Sequence, residues 1–310
     1  MKYLVKIETD AHNSHMELFL FNTEKHLKSQ PHPERYTFKL IHNKTGIIHA
    51  QLSLFVKENQ AVSPLRAPFG SVEFDSKLSF ANLLQLLEAV DEFASERKLS
   101  LIRLVSYPFC YANENSQLLA FALLAKGYNM PVAEVNYHID VDQEPFEKKI
   151  KLTERQKLKR CLKKGYVFSS GEMEEPDNIY DFIMRCRNAK GYPITLSRED
   201  FKALFDKLAD EFVFFKVEYA NKPVALSFGV KINSQILYNF YMADDPEYKS
   251  DSPCVLLLEG IYNYCQENKY HILDYGTASE HGVPNQGLIA FKESTGGKPS
   301  LKPVFEKIFS

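Results

Sequence analysis

The sequence predicts an α/β protein of two successive units, each a mixed, mostly antiparallel sheet flanked by helices, divided between residues 1–145 and 146–310. Three observations predict it. A length of 310 residues corresponds to two domains at roughly 150 residues each. Runs rich in β-formers alternate with helix-spaced apolar runs in both halves, and part of the second half repeats part of the first. Apolar residues make up 45% of the chain and aromatic residues 13%, which supplies core material for both units.

The elements follow in order. Tyr36 to Leu40 and Ile47 to Val56 flank Asn43-Lys44-Thr45-Gly46, whose Asn and Gly tolerate the positive φ of a tight turn, so this is a hairpin. A Pro-broken segment, Ser63 to Gly70, leads to Leu83, Leu87, Val90 and Ala94, a helical spacing behind Ser79 as N-cap. Leu101 to Ser106 reads as a buried strand, Ser116 to Lys126 as a helix closed by Gly127, and Val132 to Val141 as a strand. In the second half, Phe212 to Tyr219, Val224 to Ile232 and Gln235 to Met242 form a meander, with turns at Asn221-Lys222-Pro223 and Asn233-Ser234. A helix from Pro253, a strand from His271 to Tyr275, a short helix from Gly287 and a β-like run from Leu301 to Phe309 complete the chain.

The repeat is carried by residues. A shift of 171 lays Leu86-Leu87-Glu88-Ala89-Val90 on Leu257-Leu258-Glu259-Gly260-Ile261, and Lys98 on Lys269. A shift of 170 lays Leu118-Leu119-Ala120-Phe121 on Leu288-Ile289-Ala290-Phe291, and Gly127 on Gly297. Two matches in the same order make duplication the better reading. Between the halves, Pro145 to Ser197 reads as connecting helices; within it, Glu147 to Lys164 holds nine basic residues against two acidic ones.

Composition excludes several function classes. With 38 Lys and Arg against 40 Asp and Glu, no global field draws the chain to DNA or an anionic membrane. Five cysteines without a CxxC pair suit neither a disulfide framework nor a zinc knuckle, and the nine histidines show no metal-ligand spacing; His12, His15, His26, His32, His42 and His49 read as surface or turn residues. The longest apolar run, Leu118 to Ala125, is far shorter than the roughly 20 residues of a membrane span, and Met1 to Asp10 lacks a signal-peptide apolar region. A cytoplasmic protein without a membrane partner or a metal is expected.

Lys249-Ser250-Asp251-Ser252-Pro253 places a natural N-cap before a natural first helical residue. The amides of Cys254, Val255 and Leu256 are then open to a phosphate, or simply to water. The meander, this helix, Asp274-Tyr275-Gly276, and Gly287-Leu288-Ile289-Ala290-Phe291-Lys292 before Gly296-Gly297 resemble the acyltransferase domain of the GNAT superfamily. The tandem build, the basic leading helix and the Asp-x-Gly and Phe-Lys pairs are similar to FemAB-like peptidyl and acyl transferases over residues 30–310. The resemblance implies an acyl donor, acyl-CoA or aminoacyl-tRNA, and a small-molecule or peptide amine acceptor in a cleft made by splayed central strands. The chain departs from the pattern in that Tyr248 to Val255 holds no glycine to wrap a diphosphate.

Amine acylation needs a base, donors for the oxyanion and often an acid. Asp274 or His281 is the candidate base and Tyr241 the candidate acid; the plain alternatives are a turn-capping Asp, an idle loop histidine beside Glu280, and a packing tyrosine. Lys249, Ser250, Ser252, Cys254, Val255 and Leu256 are the candidate donor-binding residues, and Lys292 is expected to carry its ammonium to the cleft mouth. Arg66, Phe69 and Gly70 are candidates for gripping the acceptor, and Lys157 and Arg160 for a phosphorylated substrate or a tRNA backbone. The functional expectation is an acyltransferase with the donor in the second domain and the acceptor in the first. The alternative is a catalytically inactive binding protein of the same fold.

Overall fold

The computed structural model describes residues 2–8, 16–30, 34–171, 175–189, 191 and 196–309. His12, His15 and His32 lie outside them. The chain divides into two units, residues 1–136 with 279–284 and 300–310, and residues 137–278 with 285–299.

The first unit begins with β1 (Tyr3–Glu8), α1 (Glu24–Ser29), β2 (Arg35–His42), β3 (Ile48–Lys57), β4 (Gln60–Ser63) and β5 (Glu73–Phe74). It continues with α2 (Phe80–Glu96), β6 (Leu101–Val105), α3 (Asn113–Ala125) and the start of β7 (Asn129–Asp140). Gly46, at φ +70°, makes the β2–β3 turn, as the sequence requires. β1, β2, β3 and β4 pair antiparallel in that order, and β4 then pairs parallel with β6. A parallel pair needs a crossover, and α2 is its helix. Ser79 caps α2 by accepting the Asn82 N–H, and Leu83, Leu86, Leu87, Val90 and Ala94 meet Phe38, Leu40, Leu52 and Leu54 of the sheet in one core. His26 departs from expectation. It is buried in α1, and burial lowers its pKa to about 4.

The second unit holds α4 (Phe146–Lys149), α5 (Leu152–Lys164), β8 (Val167–Gly171), α6 (Pro176–Asn188) and α7 (Arg198–Leu208). The meander follows as β9 (Phe212–Tyr219), β10 (Lys222–Lys231) and β11 (Ile236–Asp244), then α8 (Pro253–Glu267) and β12 (Ile272–Thr277). After the small hairpin β13 (Ser279–Glu280) and β14 (Val283–Pro284), which belongs to the first unit, come α9 (Gln286–Ser294) and β15 (Lys298–Ile308). β8, β9, β10 and β11 pair antiparallel and β11 pairs parallel with β12, the order of pairings seen in the first unit.

Two expectations are corrected. The connection before the meander is not only helical, because β8 adds an edge strand to β9; its sequence Val-Phe-Ser-Ser-Gly lacks the apolar alternation that would mark a strand. The boundary also falls inside β7, between residues 136 and 137, rather than after residue 145. The last residues of the chain return to the first unit, where Val304 to Ile308 of β15 pair with β6 and Phe305 enters the core.

The repeat extends to backbone detail. Lys98 and Lys269, aligned by the shift of 171, both have positive φ, 54° and 62°, just beyond α2 and α8. Leu99 N–H bonds Ala94 O and Tyr270 N–H bonds Cys265 O, each at 2.9 Å, so the two helices end in the same left-handed motif. Gly127 closes α3 at φ +82°, whereas after α9 the left-handed residue is Gly296, one position before the aligned Gly297.

Candidate functional site

The second unit contains an opening in its sheet. β11 and β12 pair only at Ile236↔Ile272, Leu237↔Leu273 and Tyr238↔Asp274, although β11 runs on to Asp244 and β12 to Thr277. The strands therefore part just beyond Asp274. On its other edge β11 carries a bulge: Gly229 faces Asn239 and the next β10 residue, Phe228, faces Tyr241, so Phe240 is the extra residue. A bulge bends its strand, which suits a strand leaving its neighbour.

Three side chains from neighbouring strands and one from a helix gather at the split. Asp274 is 2% exposed, and its Oδ1 accepts the Gly276 N–H at 2.7 Å. Gly276 lies at φ +75°, and a Cβ there would stand 3.2 Å from the Tyr238 ring. Asp-x-Gly is thus a turn that aims the carboxylate and leaves room for the tyrosine. Tyr238 is partly buried; burial and then the Asp274 charge push its pKa up, so its hydroxyl stays protonated. On β7, the strand next to β12, His138 feels Asp274 from the other side. Burial lowers its pKa against the opposing pull of Asp140 and Asp274, and its Nδ1 is enclosed with no hydrogen-bond partner among the described residues.

Lys292, from α9, is 6% exposed and donates to Gly276 O at 2.8 Å and Thr277 O at 2.7 Å. Its ammonium fastens the end of β12 rather than reaching a cleft mouth. Burial lowers its pKa to about 7, with Asp274 pulling the other way.

Tyr241 lies past the bulge, which breaks the alternation that would pair its face with Asn239. Its ring packs on Phe228 and Phe240 beneath α6 and α7, with the Arg187 guanidinium 5.2 Å from its centroid. His281 is exposed at φ +51° in the β13–β14 turn, in the other unit from Asp274.

The N-terminus of α8 differs from the expected phosphate cradle. Ser252 occupies the N-cap position in a left-handed conformation, and its hydroxyl donates to Lys249 O instead of capping an amide. Val255 N–H is already bonded to Ser252 O at 3.0 Å, while Cys254 and Leu256 are buried. Asp251 sets a carboxylate at this terminus, where Lys164 (2.7 and 2.8 Å) and Tyr166 (2.7 Å) hold it. The turn itself, Tyr248 to Ser252, holds no glycine. Lys249 and Ser250 are exposed, and Arg160 donates to Ser250 O. Lys157 is paired with the buried Glu154 at 2.9 Å. Lys148, Lys151, Lys159 and Lys163 are exposed and enter no ion pair among the described residues.

In the first unit, Arg66 is exposed, with its backbone N–H on Gln30 Oε1 at 2.7 Å. Phe69 and Gly70 are buried. Phe69 is buried among Phe19, Phe21, Tyr107 and Tyr111, and a Cβ at Gly70 would lie 2.8 Å from Pro64 N. The same unit has a cleft of about 370 Å³ lined by Phe19, Phe74, Tyr107, Tyr111 and the carboxyl side chains of Glu17, Glu73 and Asp75. Glu73 accepts the Phe19 N–H at 2.9 Å and Asn22 Nδ2 at 2.5 Å, and burial raises its pKa to about 8. Tyr238, His138 and Glu73 escape a reading of the sequence. Nothing local marks them; only pairing across strands brings them to these places.

Residues 149–292 match the family model described as an acetyltransferase (GNAT) domain. A comparison with curated proteins finds no match. Among solved structures, the fold is similar to a crystal structure of FemX, with a TM-score of 0.72 at 14% identity over 96% of this chain and 94% of that one. It is also similar to L-PGS from Bacillus licheniformis (0.54, 12% identity, 84% and 81% covered) and to a tandem GNAT protein from the clavulanic acid biosynthesis pathway (0.52, 10%, 89% and 84%). At such identities the likeness is one of fold. Residues 149–292 carry the likeness to a GNAT domain, and each of the two units is a mixed sheet flanked by helices.

Proposed function

We propose that this protein is a FemAB-like transferase that moves an acyl or aminoacyl group from a thioester or ester donor to an amine. The observation that carries the reading is the parting of β11 from β12 beside Asp274. Beyond Tyr238 the β12-side edge of β11 offers backbone N–H groups not claimed by β12, and such donors can hold the donor's carbonyl oxygen as it becomes an oxyanion. Asp274, with neutral His138 beside it, takes the proton from the attacking ammonium. The amine nitrogen then bonds to the carbonyl carbon, Tyr238 gives its hydroxyl proton to the sulfur or oxygen as the bond from that atom to the carbon breaks, and the second proton of the nitrogen passes to the tyrosinate, leaving a neutral amide and a protonated leaving group.

Asp274→Asn is predicted to lower turnover by roughly 10² to 10⁴ while donor affinity stays within a few-fold. Full turnover in that variant ends the assignment. Donor binding by wild type without turnover on any amine supports the inactive-binder alternative.

A second reading concerns the donor's carrier. The carboxylate at the α8 terminus opposes a CoA diphosphate, whereas Lys148 of α4 and Lys159 and Lys163 of α5, which enter no ion pair among the described residues, suit a tRNA backbone. Binding of tRNA should then weaken steeply with salt, and Lys159→Glu with Lys163→Glu should weaken it further. Calorimetric binding of acetyl-CoA unaffected by those changes favours the CoA donor instead.

A further inference from the structure

We infer that the cleft of the first unit is a binding site for an organic ammonium ion, seated among the rings of Phe19, Tyr107 and Tyr111 against the Glu73 carboxyl. Three features converge on that ligand class. Among the described residues the lining carries three carboxyl side chains and no Lys, Arg or His. Its deepest acid, Glu73, is 6% exposed and is held by two hydrogen-bond donors, with no cationic side chain of the described residues among the groups acting on its ionisation. A buried carboxyl without a counter-charge is costly, and a ligand cation supplies one. The aromatic walls add the attraction of ring faces for ammonium, and about 370 Å³ admits a small amine.

The groups around Glu73 are Tyr107 after β6, Asn22 in the turn before α1, and at the mouth Glu17 and Asp75, the latter paired with His49 of β3 at 3.4 Å. Glu73 holds its proton below about pH 8, so an ammonium that binds its carboxylate expels that proton. Affinity should therefore rise about tenfold per pH unit up to about 8 and level off above it. The ligand class stands apart from the transfer reading; only taking this ammonium as part of the acceptor rests on it.

The test is an NMR titration of the full chain with n-butylammonium and with its uncharged isostere n-butanol, between pH 6 and 9, without any acyl donor. The expected result is binding of the ammonium in preference to the alcohol by at least tenfold, with that pH slope. Glu73→Gln should abolish the slope. Because Glu73 also anchors the chain at Phe19, the exposed-rim variant Glu17→Gln/Asp75→Asn serves beside it and should weaken binding several-fold with the slope retained. Equal affinity for the alcohol, binding independent of pH, or no binding by the folded protein would overturn the inference. None of these outcomes bears on donor binding or turnover, so a failure here is separable from a failure of the transfer reading.

Discussion

Gly276 answers two demands at once, a left-handed backbone and an empty space for the Tyr238 ring. Gly276→Ala is predicted to cost about 1–3 kcal/mol, read as a shifted urea midpoint, and to disturb Asp274, whose carboxylate the Gly276 amide orients. The buried ionisable groups give a pH signature. Between about 4.5 and 8, folded Glu73 keeps a proton that the unfolded chain has released, so its contribution to stability falls as pH rises. Between about 7 and 10.5, folded Lys292 has lost a proton that the unfolded chain keeps, so its contribution rises with pH. Urea titrations across pH should show the first limb flattened in Glu73→Gln and the second in Lys292→Met. At this scale the sequence made Asp274 legible, because the Asp-x-Gly turn is local. Tyr238 and His138 become its neighbours through strand pairing, which no local pattern encodes.

Among the elements, α8 rests on β8 through Gly260, where a Cβ would come within 2.2 Å of the Phe168 ring. Gly260→Ala should destabilise by about 1–3 kcal/mol through overpacking, and Phe168→Ala in the same chain should recover part of that loss. A double-mutant cycle in urea measures the coupling; simple additivity would place the contact elsewhere. Helices were the most legible elements. Ser79 caps α2 and Gly165, at φ +86°, ends α5, as residue type alone suggests. The N-terminus of α8 was legible as a helix start, whereas the carboxylate that Asp251 sets there, with its partners Lys164 and Tyr166, comes from tertiary structure. The bulge at Phe240 was likewise invisible, because alternation in Tyr238 to Tyr241 looks regular until pairing with β10 is known.

For the whole molecule, the matched helix ends at Lys98 and Lys269 support duplication of one ancestral unit. The units nevertheless do not follow the chain in simple succession. A fragment of residues 1–145 lacks β15, whose Val304 to Ile308 pair with β6 and whose Phe305 fills the core, so it should fail to fold by circular dichroism and proton NMR. Fusing residues 300–310 to its end should restore cooperative unfolding. The central claim, that a donor's carbonyl lodges where β11 leaves β12, is tested most directly by hydrogen–deuterium exchange at the amides of residues 239–244, with and without acetyl-CoA or an aminoacyl-tRNA. Slower exchange there with one of these donors is the predicted result. Unchanged exchange at those amides with both, while the donor binds elsewhere on the protein, would contradict it.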